Sequence, residues 1–181
     1  MYVNDYDSGG DCAKRGKYAE DCFVDTALSL RYKVRKATRE EQYRHIDYIL
    51  TGIHPVSKKE ISVSVDVKGK KKHNRKGKYT TDKWIWLEMR NVQGKPGWIF
   101  GDAHFIAFER NGDFVVVKRE SLQRWVEASG RIRYDLPYVT NSWEAKYRVY
   151  TRRGRSDQIT MVQLKDILKL DGCYIWKKLD A

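Results

Sequence analysis

The chain has 181 residues and carries 36 Lys and Arg against 24 Asp and Glu, a formal charge of +12 with a pI near 9.6. That length suits one well-cored domain, or one domain with an elaboration, and the charge excess points to a polyanionic partner, nucleic acid first. No apolar run approaches the ~18 residues a membrane span needs, no signal-peptide core stands at the N-terminus, and Cys12, Cys22 and Cys173 match no zinc spacing, so a soluble cytoplasmic protein with reduced thiols is expected.

Residues 1–11 are polar, acidic and glycine-containing and read as an arm or loop. From Lys14 to Lys33, Ala19, Cys22, Phe23, Thr26 and Leu30 recur at helical spacing, with Glu20 beside that face and able to reach the edge of a sheet. Asp21 and Asp25 rival Glu20 for such a role, and a solvated helix glutamate is the plain alternative. Tyr43 to Leu50 reads as a strand with Asp47 in its middle, between Ile46 and Tyr48, and an acid inside an apolar strand needs compensation. His45 shares its face. Thr51 to Glu60 holds a Gly, a Pro and polar residues, which suits a hairpin-type connection that sets its flanking strands side by side.

From Ile61 to Val67 the residues alternate, with Ile61, Val63, Val65 and Val67 on one side and Ser62, Ser64, Asp66 and Lys68 on the other. Asp66 and Lys68 therefore project the same way, about 7 Å apart along the strand, and Gly69 leaves the backbone free to turn or approach a ligand. With the two strands adjacent, Asp47 and Asp66 meet. Magnesium prefers hard oxygen ligands and takes few carboxylates together with a substrate phosphate, and bound metal acidifies its water and offsets phosphate charge. A lysine beside it can orient that water or steady developing negative charge. The plain alternative is a surface strand acid and an exposed ion pair worth little.

Lys68 to Lys78, KGKKKHNRKGK, is the most basic run and reads as a loop, in which Lys70, Lys71, Lys72, Arg75, Lys76 and Lys78 would grip a phosphate backbone without regard to sequence. Lys83 to Val92 alternates again, setting Trp84, Trp86, Glu88 and Arg90 against Ile85, Leu87 and Met89; Glu88 reads as a partner of Arg90 or Lys83, with an additional acid near the metal as the other reading. After the turn GKPG, Trp98 to Glu109 and Asp113 to Val117 read as strands joined at Asn111-Gly112, with Asp102 and His104 as a pair on one face. Glu120 to Ala128 reads as a helix closing at Gly130. Beyond it follow a strand from Tyr147, a basic turn in which Arg152, Arg153 and Arg155 are further phosphate contacts, and a helix from Thr160 to Leu170.

Glu20, Asp47 and the tripeptide Asp66-Val67-Lys68 together resemble the PD-(D/E)XK nuclease superfamily over about residues 14–130, with Ile46 standing where the name-giving proline would be. The resemblance implies an α/β (α+β) fold, restriction endonuclease-like, with a central mixed β-sheet flanked by helices. It implies a single nuclease domain over residues 1–181, its core at about 14–130 and residues 131–181 an elaboration. It also implies a site in which Asp47, Asp66, Glu20 and the Val67 carbonyl hold Mg²⁺, with Mn²⁺ substituting, while Lys68 orients the water. The implied activity is an endonuclease on DNA in preference to RNA, structure-selective or weakly sequence-specific like Holliday junction resolvases, and a homodimer is one assembly that cutting two strands favours. Two other readings stand beside it: a non-catalytic DNA- or RNA-binding module whose acids are structural, and a ribonuclease using the same site.

Overall fold

The computed structural model describes residues 11–54, 56–71, 82–128, 130–139 and 142–179. In chain order it contains α1 (Asp11–Ser29), β1 (Lys33–Lys36), α2 (Arg39–Tyr43), β2 (Tyr48–Ile53), β3 (Glu60–Lys68), β4 (Trp84–Arg90), a 3-10 turn (Trp98–Phe100), β5 (Phe105–Glu109), β6 (Asp113–Lys118), α3 (Arg119–Glu127), a second 3-10 turn (Ser142–Ala145), β7 (Gln158–Gln163), α4 (Leu164–Ile167) and β8 (Cys173–Lys177). Six strands form a central mixed sheet in the order β1-β2-β3-β5-β6-β8; β3 and β5 run parallel and every other neighbour antiparallel. β4 and β7 form a separate antiparallel pair.

Period-two alternation divides the side chains of this sheet between two cores. On one face Val65 and Val67 of β3, Ala107 of β5, and Phe114 and Val116 of β6 pack with Tyr48 and Leu50 against Ala19, Phe23 and Ala27 of α1. On the other, Ile106, Phe108, Val115 and Val117 pack against Leu122, Trp125 and Val126 of α3, Leu87 and Met89 of β4, Val162 of β7, and Trp98 and Ile99. The chain is thus mixed α/β, a mixed sheet with helices on both faces and a two-stranded layer beside one of them. No helix among the described residues is long and apolar enough to cross a membrane.

Several elements differ from the sequence expectation, each for a local reason. The stretch expected as one strand from Tyr43 begins in a helical turn, because Thr38 and Glu41 form a reciprocal capping box over α2. His45 then adopts a left-handed backbone (φ 59°) that turns the chain into β2, which starts only at Tyr48. Trp98 opens a 3-10 turn instead of a strand, and β5 begins at Phe105. The expected helix from Thr160 to Leu170 is β7 followed by the four residues of α4: Thr160, Met161 and Val162 are all buried, sandwiched between the α3-side core and the segment 145–150, which bonds back to it through Tyr147 and Tyr150. That segment makes isolated bridges and not the expected strand. β1 and β8 were not anticipated; β8 completes the central sheet beside β6.

Candidate active site

The site follows from the register of β2 and β3. Tyr48 lies opposite Val65, and the Asp47 N–H donates to the Val65 carbonyl (2.9 Å), so one further step along the ladder sets Asp47 opposite Asp66. Because neighbours alternate faces, Tyr48, Val65 and Val67 turn to α1, while Asp47, Asp66 and Lys68 turn the other way. On that side the β5 neighbours of Asp66 and Lys68 are Ile106 and Phe108, both in the α3-side core. Asp66 therefore occupies a position the fold otherwise gives to apolar residues, and it is 2% exposed.

A carboxylate there requires compensation, and it is only half supplied. Lys68 Nζ lies 2.7 Å from Asp66 Oδ1, while Asp66 Oδ2 is buried without a hydrogen-bond partner among the described residues. Burial pushes the Asp66 carboxyl up to about 7; Lys68 pulls it down and the facing Asp47 pushes it up. Asp47 is fixed by the Val67 N–H, which donates to Asp47 Oδ2 at 2.7 Å. A strand residue's N–H and C=O point the same way, so the Val67 carbonyl shares that side with Asp47. The Lys68 ammonium also sits over the Trp98 ring, 5.2 Å from its centroid.

Two facing carboxylates, one holding a buried oxygen that no donor meets, call for a proton or a cation between them. Oxygens from Asp47, Asp66 and the Val67 carbonyl are the hard donors that Mg²⁺ and Mn²⁺ select. Among the described residues no three His, Cys, Asp or Glu side chains converge. A two-carboxylate share is nevertheless what magnesium commonly takes when water and substrate phosphate supply the rest.

Glu20 does not join this group, contrary to the sequence expectation. Its Oε2 accepts from Tyr48 Oη (3.1 Å) and lies 3.7 Å from Lys36 Nζ, on the face that α1 covers. The reason is alternation: Tyr48 and Asp47 are consecutive, so the partner of one looks away from the other. Gly69 approaches α1 in place of a ligand, since a Cβ there would stand 3.1 Å from that of Ala19.

Lys70 and Lys71 follow directly and, with Lys68, Trp84, Trp86 and Trp98, line a cavity of about 30 Å³. The Lys70 ammonium reaches Asn111 Oδ1 and its backbone N–H donates to Glu109. Lys72, Arg75, Lys76 and Lys78 lie outside the described residues. Arg152 pairs with the fully buried Asp157, Arg153 is exposed, and Arg155 is half-buried.

Glu88 and His45 both lie near the lysines of the site. Burial raises the Glu88 pKa while Lys71 and Lys68 lower it, so Glu88 lies in the field of the basic rim. That placement comes from β4 leaving the central sheet, which no spacing announces. Burial and then the charge of Lys68 lower the His45 pKa. Asp102 and His104 are not a pair: Asp102 takes Arg44 (2.6 Å), and His104 Nδ1 meets the Ser64 N–H and hydroxyl at 3.0 and 2.7 Å.

No family model, no curated protein and no solved structure matches this chain.

Proposed function

We propose that the chain is a divalent-metal-dependent endonuclease that hydrolyses phosphodiester bonds of DNA, built on a restriction endonuclease-like core of the PD-(D/E)XK type. The observation that carries this reading is the buried Asp66 oxygen without a donor, facing Asp47 across adjoining strands and tied to Lys68 two residues on. The helix α1, the antiparallel β2 and β3, with Asp47 just ahead of β2 and Asp66 within β3, and the parallel β5 beside them support that core.

Asp47, Asp66 and the Val67 carbonyl would hold the cation. A bound Mg²⁺ supplies an acidified water and offsets charge on the phosphate. The protein's own groups do the rest. The Val67 N–H fixes the Asp47 carboxylate in orientation, and Asp66 must shed its proton to serve, which its pKa near 7 allows at neutral pH and above. Lys68, anchored on Asp66 and leaning on Trp98, presents the remaining ammonium hydrogens to a water or a phosphoryl oxygen. Lys70 and Lys71 extend that positive charge along the backbone of the bound strand, which makes affinity salt-dependent and indifferent to sequence.

Cleavage of labelled single-stranded, duplex and branched DNA, with RNA alongside, tests the reading in Mg²⁺, Mn²⁺ and EDTA. The wild type is expected to cut DNA only with metal, and Asp66→Ala to bind without cutting. Equal binding by both proteins in EDTA with no cutting in either metal would leave a non-catalytic binding module, and preferential cutting of RNA would reassign the substrate.

A further inference from the structure

Alternation in β4 sends Ile85, Leu87 and Met89 towards the α3-side core and Trp84, Trp86 and Glu88 to the opposite face. The rings on that face pack partly against residues 143–150 and partly line the cavity beside Lys68. Trp84 meets Trp143 edge-on (6.2 Å between centroids, 83°) and Tyr147 (6.0 Å, 69°), and Trp86 meets Tyr150 (6.2 Å, 57°). Lys146 Nζ lies 3.8 Å from the Trp143 centroid and 4.6 Å from that of Trp84. Trp143 is 42% exposed, and Trp84, Trp86, Tyr147 and Tyr150 are half-buried. The result is an aromatic surface interleaved with cations.

This surface is continuous with the candidate site, because Trp84 and Trp86 line the same cavity as Lys68, Lys70 and Lys71. The acids beside it are engaged: Glu109 pairs with Lys178, Asp82 accepts from the Asn111 N–H, and Glu88 lies in the field of Lys68, Lys71 and Arg152. Indoles beside lysines match a nucleotide strand in both of its parts, since bases stack on aromatic faces and phosphates pair with ammonium groups. Bases inside a duplex are stacked on one another and offer no free face. Charge complementarity and stacking chemistry therefore select an unpaired strand.

We propose that the outer face of β4, Trp84 and Trp86 with Lys70 and Lys71, binds an unpaired single-stranded segment of the substrate next to the phosphate to be cut, so that the preferred DNA is single-stranded or carries a single-stranded tail or branch. The choice of substrate rests on the nuclease reading; the binding itself does not.

The test is fluorescence anisotropy in EDTA on the full chain carrying Asp66→Asn, with labelled single strands, blunt duplex and duplex bearing a single-stranded tail. Trp86→Ala and Trp86→Phe are added on that background, and the parent protein's tryptophan emission is followed during titration. The parent is expected to bind single strands and tailed duplex more tightly than blunt duplex, with quenched emission. Trp86→Ala is expected to weaken the first two by about tenfold, the loss of one base stack, and to leave blunt duplex unchanged, while Trp86→Phe retains most of the preference. Equal affinity for all three DNAs without quenching, or an equal loss on all three in Trp86→Ala, overturns the proposal. A tail preference in a protein whose wild type cuts nothing in Mg²⁺ or Mn²⁺ would retain this surface and sink the nuclease reading; cutting without a tail preference would do the reverse.

Discussion

Asp66→Asn in the metal-free protein isolates the feature on which the site depends. Asp66 titrates near 7 in the folded chain against an ordinary 3.8, first because it is buried, so the folded state holds a proton that the unfolded state has released. A raised carboxyl contributes stability that is fully present below the unfolded pKa and is lost as pH rises through the folded one. Across that window, at about 1.4 kcal/mol per pKa unit, the loss comes to about 4 kcal/mol. Asparagine has nothing to ionise, so the variant lacks this slope. It also removes the anion beside Lys68. Urea unfolding in EDTA from about pH 4 to about pH 8 reads the two slopes directly. The wild type should fall steeply relative to Asp66→Asn, and Mg²⁺ or Mn²⁺ near pH 8 should restore the wild type alone, by about 2.7 kcal/mol at a hundredfold excess over Kd. Parallel slopes, with neither protein shifted by metal, would refute the argument that a buried, unmatched carboxylate awaits a cation.

Three further outcomes are expected. Lys68→Met removes the group that pulls the Asp66 carboxyl down, so the pH at which metal stabilises the fold and supports cutting should move upward; an unmoved pH–rate profile would show that Lys68 does not tune Asp66. Glu20→Gln disturbs only a partly exposed contact with Tyr48 and Lys36, so urea stability should drop by about 1 kcal/mol or less with the metal-induced thermal shift intact, and loss of that shift would place Glu20 at the metal after all. At Gly97 an added Cβ would lie 2.1 Å from the Glu88 carbonyl oxygen, so Gly97→Ala must push β4 off the 3-10 turn and lower stability by about 2 kcal/mol or more in urea; an unchanged midpoint would mean that this junction slides freely.

The meeting of Asp47 and Asp66 was legible because each step is local: the alternation of β3, an acid between Ile46 and Tyr48, and a connection short enough to pair the strands antiparallel. Glu20 was not, because helical spacing identifies a buried stripe but not the sheet face that receives it. Once α1 covers Val65 and Val67, its glutamate is held on Tyr48's side. The stretch from Thr160 failed for a related reason. Met161, Leu164 and Ile167 fit a helical stripe, yet β7 is buried from both sides, which removes the polar alternation that would mark a strand. The capping box at Thr38, by contrast, stands in the sequence as T-x-x-E, a local mark of a helix start.

The segment beyond residue 130 also changes what the site can do. A parallel β3 and β5 cannot be joined by a hairpin, and the chain between them leaves the sheet to form β4. That strand has no partner until β7 arrives from the far end of the sequence, and the pair then closes over the face that bears Lys68, with Leu164 lining its cavity and Val162 and Ile167 joining the core around Trp98. Residues expected to decorate a finished core instead complete it and flank β4's half-buried tryptophans. Had β4 joined the central sheet, its period would have put Trp84 and Trp86 into one core or the other; displaced into its own layer, it buries Leu87 and Met89 and leaves the indoles beside the lysines of the site.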